Sequence, residues 1–213
     1  MIIDHVTVGA FQENCYLVAD PGTGAAVLVD PGAEPAVIIE MVERAGVTLE
    51  AIWLTHAHVD HIGGIAGVKA RYPVPILMHH DDHPIYARGA EVARMYGVPF
   101  EEPPPVDREI VDGEQLAVGR FTFSVMHVPG HAPGHVIYVG EGNVLAGDLL
   151  FEGSIGRTDM PYCDPVAMER SLERAMTLDD SLMVHPGHGP STTIGAERRS
   201  NPFLNGTARP VKR

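Results

Sequence analysis

The sequence is short of cysteine, of positive charge and of long apolar runs. Cysteine occurs twice in 213 residues, at Cys15 and Cys163, and never as a C-x-x-C pair. A disulfide framework is therefore not expected, and both read as free thiols of a reducing compartment. Lysine and arginine number 15 against 28 aspartates and glutamates, for a formal net charge of -13. Such a surface repels nucleic acid and anionic membranes. No apolar run approaches the length that spans a bilayer, and Met1-Ile2-Ile3-Asp4-His5 is no basic region leading into an apolar stretch. The expectation is a cytoplasmic protein without membrane or nucleic-acid partners, monomeric or a small homo-oligomer. No low-complexity linker interrupts the chain, so residues 1–213 are read as one domain.

What the chain does have is apolar mass and clustered histidine. Apolar residues make up 45% of it, enough for a substantial core. The stretch Thr55-His56-Ala57-His58-Val59-Asp60-His61 packs three imidazoles and a carboxylate into six residues. The apolar run Ala51-Ile52-Trp53-Leu54 before it reads as a buried strand, and Ile62-Gly63-Gly64-Ile65 after it as the start of a helix. A strand end is a usual place for a site in an α/β fold. Imidazole and carboxylate prefer divalent metals, and one ion cannot use all four groups at this spacing. The stretch is therefore read as serving two neighbouring metal sites. Bound cations would make the site locally positive, so an anionic substrate stays compatible with the acidic surface.

Turn and cap signals order the rest. Strands are expected around Val6 and Val8, at 15–18 and at 25–29, with Pro21-Gly22-Thr23-Gly24 as a hairpin turn. Asp30 closes the third strand, either as a turn former or as an acceptor for a ligand histidine. Apolar spacing predicts a helix over 35–45, stopped by Gly46. A helix over 62–71 and a strand over 75–78 follow. His79-His80-Asp81-Asp82-His83 invites a second metal cluster. The two acids instead suit the electropositive first turn of a helix reaching Tyr96, with His79 the best placed of the three to approach the site. After the proline-rich loop 101–105, strands are expected at 115–118, 121–125, 136–139 and 144–146. Asp164-Pro165 caps a helix to about Thr177. A strand at 182–184 and a helix near 193–200 complete the chain. Histidines or aspartates fall at strand ends in both halves. Two facing layers with helices outside would bring those ends to one edge.

Taken together, His56-x-His58-x-Asp60-His61, His131, Asp148 and His188 resemble the metallo-β-lactamase superfamily of metallohydrolases, over nearly the whole chain. The resemblance implies an α/β fold, an αββα sandwich of mixed, mostly antiparallel sheets with outer helices. It implies one metal held by His56, His58 and His131, a second by Asp60, His61 and His188, and Asp148 bridging them. His127, His135 and His185 match none of those positions and are assigned to bracing or structural roles. The loop Phe151-Glu152-Gly153-Ser154-Ile155-Gly156-Arg157-Thr158-Asp159 resembles the glyoxalase II group. The closest likeness is to the small bacterial subgroup without the C-terminal helical domain. Pro186-Gly187-His188-Gly189-Pro190 and Thr192 to Phe203 fit that subgroup too.

The activity so implied is metal-dependent hydrolysis of thioesters such as S-lactoylglutathione, with water activated between two divalent ions. Zinc leads, with iron or manganese as alternatives. The partner is a small molecule, a glutathione thioester in the leading reading. Asp60 or Asp148 would orient the nucleophile, and no covalent intermediate is needed. Arg157 is the candidate substrate contact, through bidentate pairing with a carboxylate, or else a loop-bracing arginine. The alternative is a persulfide dioxygenase, in which a single iron uses His56, His131 and Asp148.

Overall fold

The computed structural model describes residues 1–211. Among them, two six-stranded sheets lie face to face. The first orders β1 (Ile2–Val8), β2 (Glu13–Ala19), β3 (Ala25–Val29), β4 (Thr48–Trp53), β5 (Ile76–His79) and β6 (Arg108–Ile110) side by side in sequence order. The second holds β7 (Gln115–Val118), β8 (Phe121–His127), β9 (Val136–Gly140) and β10 (Asn143–Gly147). A two-stranded ribbon follows, β11 (Leu150–Phe151) with β12 (Ser154–Ile155), before β13 (Met183–Pro186) and β14 (Thr192–Thr193) complete the second sheet beyond β10. Antiparallel pairings predominate, but β3 to β6 run parallel, as do β10 and β13. Parallel neighbours need a crossover, and helices supply it. They are α1 (Pro35–Ala45), α2 (Val59–Ile62), α3 (Ile65–Arg71), α4 (His83–Tyr86) and α5 (Gly89–Tyr96) in the first half, then α6 (Pro165–Ala175) between β10 and β13; α7 (Ile194–Ser200) follows the last strand.

The period-two alternation of the strands explains the layering. In β2, Tyr16 and Val18 enter the layer between the sheets, while Leu17 and Ala19 face α1 to α3. In β9, Val136 and Tyr138 meet that central layer, and Ile137 meets α6. Trp53 lies at the centre, 5.0 Å from Tyr138 and 5.9 Å from Phe123 across the sheets. Strands buried on both faces read in sequence as continuous apolar runs. No helix among the described residues is long and apolar enough to cross a membrane.

Cap signals place two helices where the sequence does. Pro35 opens α1, and Gly46 closes it in the left-handed region at φ 65°. Asp164 caps α6 by accepting from the Val166 and Ala167 N–H groups at 2.8 and 3.0 Å. Two expected helices are instead broken. The one over 62–71 begins earlier, as α2, and stops at Gly63-Gly64, where the backbone packs onto the 31–33 turn. The Gly64 N–H donates to the Pro31 carbonyl at 2.9 Å. A Cβ on Gly63 would lie 2.6 Å from the Gly32 carbonyl oxygen, so only glycine fits that approach. The one running to Tyr96 is three pieces, a 3-10 turn over His80–Asp82 followed by α4 and α5. Strand β6 was not expected. It adds to β5 through pairs such as Met78 with Glu109.

Candidate metal centre

The strand ends converge on one edge. The loop after β4 delivers His56 and His58, and α2 delivers Asp60 and His61. The β8–β9 loop delivers His131, the end of β10 delivers Asp148, and the end of β13 delivers His188. Two triads result, each with its donor atoms within 4.8 Å of one another: His56, His58 and His131, and Asp60, His61 and His188. Asp148 stands between them. Its Oδ1 lies 3.4 Å from His61 Nε2, and its Oδ2 lies 3.4 Å from His131 Nε2 and 3.6 Å from His188 Nε2. All seven residues expected at the centre are thus brought together.

Four of the five rings are oriented by the nitrogen that does not face the centre. His56 Nδ1 bonds Thr55 Oγ1 at 3.0 Å, and that hydroxyl donates to Asp30 Oδ2 at 2.6 Å. His61 Nδ1 bonds the same Asp30 oxygen at 3.0 Å. His131 Nδ1 bonds the Arg157 carbonyl at 2.8 Å, and His188 Nδ1 bonds the Phe11 carbonyl at 3.1 Å. An N–H spent on an oxygen behind the ring leaves the Nε2 lone pair pointing inward. His58 reverses the pattern and turns Nδ1 inward, 2.8 Å from His131 Nε2.

The inward atoms test whether metal fits. His56 Nε2, His61 Nε2 and Asp148 Oδ1 are buried without a hydrogen-bond partner. Orphaned polar atoms in the interior are costly, and three on one point call for a ligand. A Cβ added to Gly187 would lie 2.3 Å from Asp148 Oδ1, so glycine there keeps the space beside that carboxylate open. The donor set of imidazoles and carboxylates suits a divalent ion.

The triads differ electrically. Burial, followed by the neighbouring imidazoles, holds His56 well below the usual imidazole range and His58 at about 3. Burial also opposes charge on His61 and His188, but Asp148 and Asp30 outweigh it for the first, and Asp60 and Asp148 for the second. Both are raised. Asp148 is buried as well, yet His61 and His131 hold its carboxyl well below the ordinary range.

Other expectations resolve in detail. Asp30 does both things considered for it, turning at φ 52° and accepting from His61. His135 braces the centre, since its Nε2 accepts the Asp148 N–H at 3.0 Å and its ring stacks on His56. His185 bonds Asn143 and lies against Tyr16. His79 does not join either triad; it stacks on His127 at 4.1 Å. Both cysteines are free, and the Cys163 thiol donates to the His131 carbonyl at 3.0 Å. Arg157 touches the centre through its carbonyl, while its exposed guanidinium pairs with both Asp159 oxygens at 2.9 and 3.0 Å.

Two buried acids were missed. Asp82, read as one of two acids in the first turn of a helix, is fully buried. It accepts from the Ala57 N–H at 2.7 Å and the Gly134 N–H at 2.6 Å, tying the two histidine loops together. Burial pushes its carboxyl up to about 6. Glu13 lies 3.9 Å behind His61, with burial raising it too. Its signal was a lone acid opening a mostly apolar strand.

Imidazoles and acids drawn from both sheets, aimed at two adjacent points, make this a metallohydrolase centre at the edge of an αββα sandwich. The metallo-beta-lactamase superfamily profile matches residues 8–191, and the chain belongs to that superfamily. It is 38% identical to hydroxyacylglutathione hydrolase GloC of Haemophilus influenzae, over 96% of this chain and 99% of that one. A protein solved in a di-iron-bound form, TTHA1623, superposes with a TM-score of 0.88 at 44% identity, covering 94% of this chain and all of the other. The BLEG-1 B3 metallo-beta-lactamase superposes with a TM-score of 0.89 at 36% identity, covering 96% and 100%.

Proposed function

We propose that the protein hydrolyses thioesters of the S-lactoylglutathione type, with His56, His58 and His131 holding one divalent ion and Asp60, His61 and His188 a second. The observation that carries the reading is the place of Asp148, within 3.4–3.6 Å of ring nitrogens from both triads. The likeness to the Haemophilus hydrolase supports the substrate class. Ions bound there would lower the pKa of water and polarise a carbonyl. Zinc fits the imidazole-rich donor set, and iron has a precedent in the di-iron relative.

The chain's own groups do the rest. Asp60, half-buried and 3.3 Å from His188, can accept a hydrogen bond from the attacking water and orient it. Burial of His56, His61 and Asp148 fixes the donors before substrate arrives, so little reorganisation is needed during reaction. A thiolate leaves without a strong general acid. Arg157, exchanging Asp159 for a substrate carboxylate, is the proposed contact with the thiol carrier.

The test is metal analysis of purified protein beside a panel of acyl thioesters that includes S-lactoylglutathione. Two ions per chain and oxygen-independent thioester turnover are expected. Oxygen uptake with glutathione persulfide on a single iron would return the dioxygenase alternative. Turnover of a β-lactam with no thioesterase activity would replace the substrate class.

A further inference from the structure

A second group of imidazoles lies outside the centre, where β6 meets the turn that follows β5. Glu109 Oε1 is bonded by His80 Nδ1 and by His83 Nε2, each at 3.0 Å. The two rings stand 5.6 Å apart at 75°, and the three donor atoms lie within 4.8 Å of one another. All three side chains are open to water.

We propose that His80, His83 and Glu109 form a separate binding site for a divalent cation of the zinc class, on the outer face of the first sheet. The sequence explains the convergence. His80 and His83 are three residues apart on a 3-10 turn running into α4, a spacing that puts side chains above one another. Glu109 sits in the middle of the short edge strand β6, opposite Met78, and so beside that turn. Tetrahedral zinc with bonds near 2.0–2.1 Å holds its donors roughly 3.3 Å apart. Two of the three spacings here are already close to that. Two imidazoles and one carboxylate are a familiar donor set for such ions, and solvent completes the shell.

The adjoining group of His79, Asp81 and His127 is less suited. His79 Nδ1 already accepts the Asp81 N–H at 3.3 Å, and His127 Nε2 is bonded to the Pro133 carbonyl at 2.8 Å. The outer site has a mechanical consequence. The turn that would carry the ion also carries Asp82, whose carboxylate holds Ala57 between His56 and His58. An ion on His80, His83 and Glu109 would pin that turn to β6 and so steady the brace of the central loops.

The test counts ions on the whole protein at micromolar free Zn²⁺, by dialysis and elemental analysis. Wild type is expected to hold one ion more per chain than Glu109→Gln or His83→Asn, whatever number the centre takes. His56→Ala, which strips a central ligand, should leave the outer ion in place. A second reading needs no variant: titrating Zn²⁺ into wild type should shift the ring signals of His80 and His83 in NMR spectra. Equal ion counts in wild type and both variants, or His80 and His83 signals that move only at millimolar Zn²⁺, would overturn the site.

Discussion

The two triads at the centre share an aspartate and little else. His56, His58 and His131 are all imidazole, packed ring against ring with centroids 4.5–4.9 Å apart. Burial lowers all three, and repulsion from neighbouring rings of the triad adds to it for His56 and His58. Asp60, His61 and His188 include a carboxylate and are backed by Asp30 and Glu13. The acids around them keep His61 and His188 protonated to higher pH. The same residue type is therefore tuned in opposite directions a few ångströms apart. The first triad offers lone pairs that need no deprotonation. The second must give up protons before it can hold an ion.

Removing the shared element should have the largest effect. Asp148→Ala is expected to release both ions and to lower thioester hydrolysis by about a thousandfold or more, whereas His188→Ala should lose only the second ion. Elemental analysis and steady-state rates check both. Retention of two ions in Asp148→Ala would break the reading of that carboxylate as common to both triads.

A smaller effect concerns protons. At pH 7, filling the second triad should release protons from His61 and His188, and filling the first should release few. Affinity for the second ion should then rise with pH while affinity for the first stays nearly flat. Titration calorimetry in buffers of different ionisation enthalpy measures this directly. Equal proton release in the two steps would remove the distinction.

The smallest expected effect is on the stability of the metal-free protein. His58 has a folded pKa near 3 against an ordinary value of 6.5, so between those values the unfolded chain binds a proton that the folded one does not. That group destabilises the fold as pH falls through the window. His188 is raised above 6.5, so its contribution is present at lower pH and is lost as pH rises through its folded value. Metal-free His58→Asn should lose less stability than wild type from pH 6.5 to 4. Metal-free His188→Asn should lose less as pH rises above 6.5. Denaturant melts compare the slopes.

The centre was legible in the sequence because its first four groups fall within six residues, and because each later one follows an apolar strand. The ends of α1 and α6 were legible because Gly46 and Asp164 act on their own neighbours. Asp82 was not, because its partners lie 25 and 52 residues away, and its own surroundings look like a helix start. The break at Gly63-Gly64 was hidden for the same reason, since it answers to the 31–33 backbone. Arg157 was read for its guanidinium, yet its carbonyl is what reaches His131, and a carbonyl leaves no mark in a sequence.

The donors come from both sheets: four follow β4, and three leave the loops and ends of the other layer. Neither half of the chain owns a complete set, so an ion can be gripped only after the halves have docked. Occupancy is then a reporter of assembly as much as a requirement of chemistry. Chelation should loosen the seam between the layers, and a change deep among Trp53, Phe123 and Tyr138 should be felt as weaker grip at the rim.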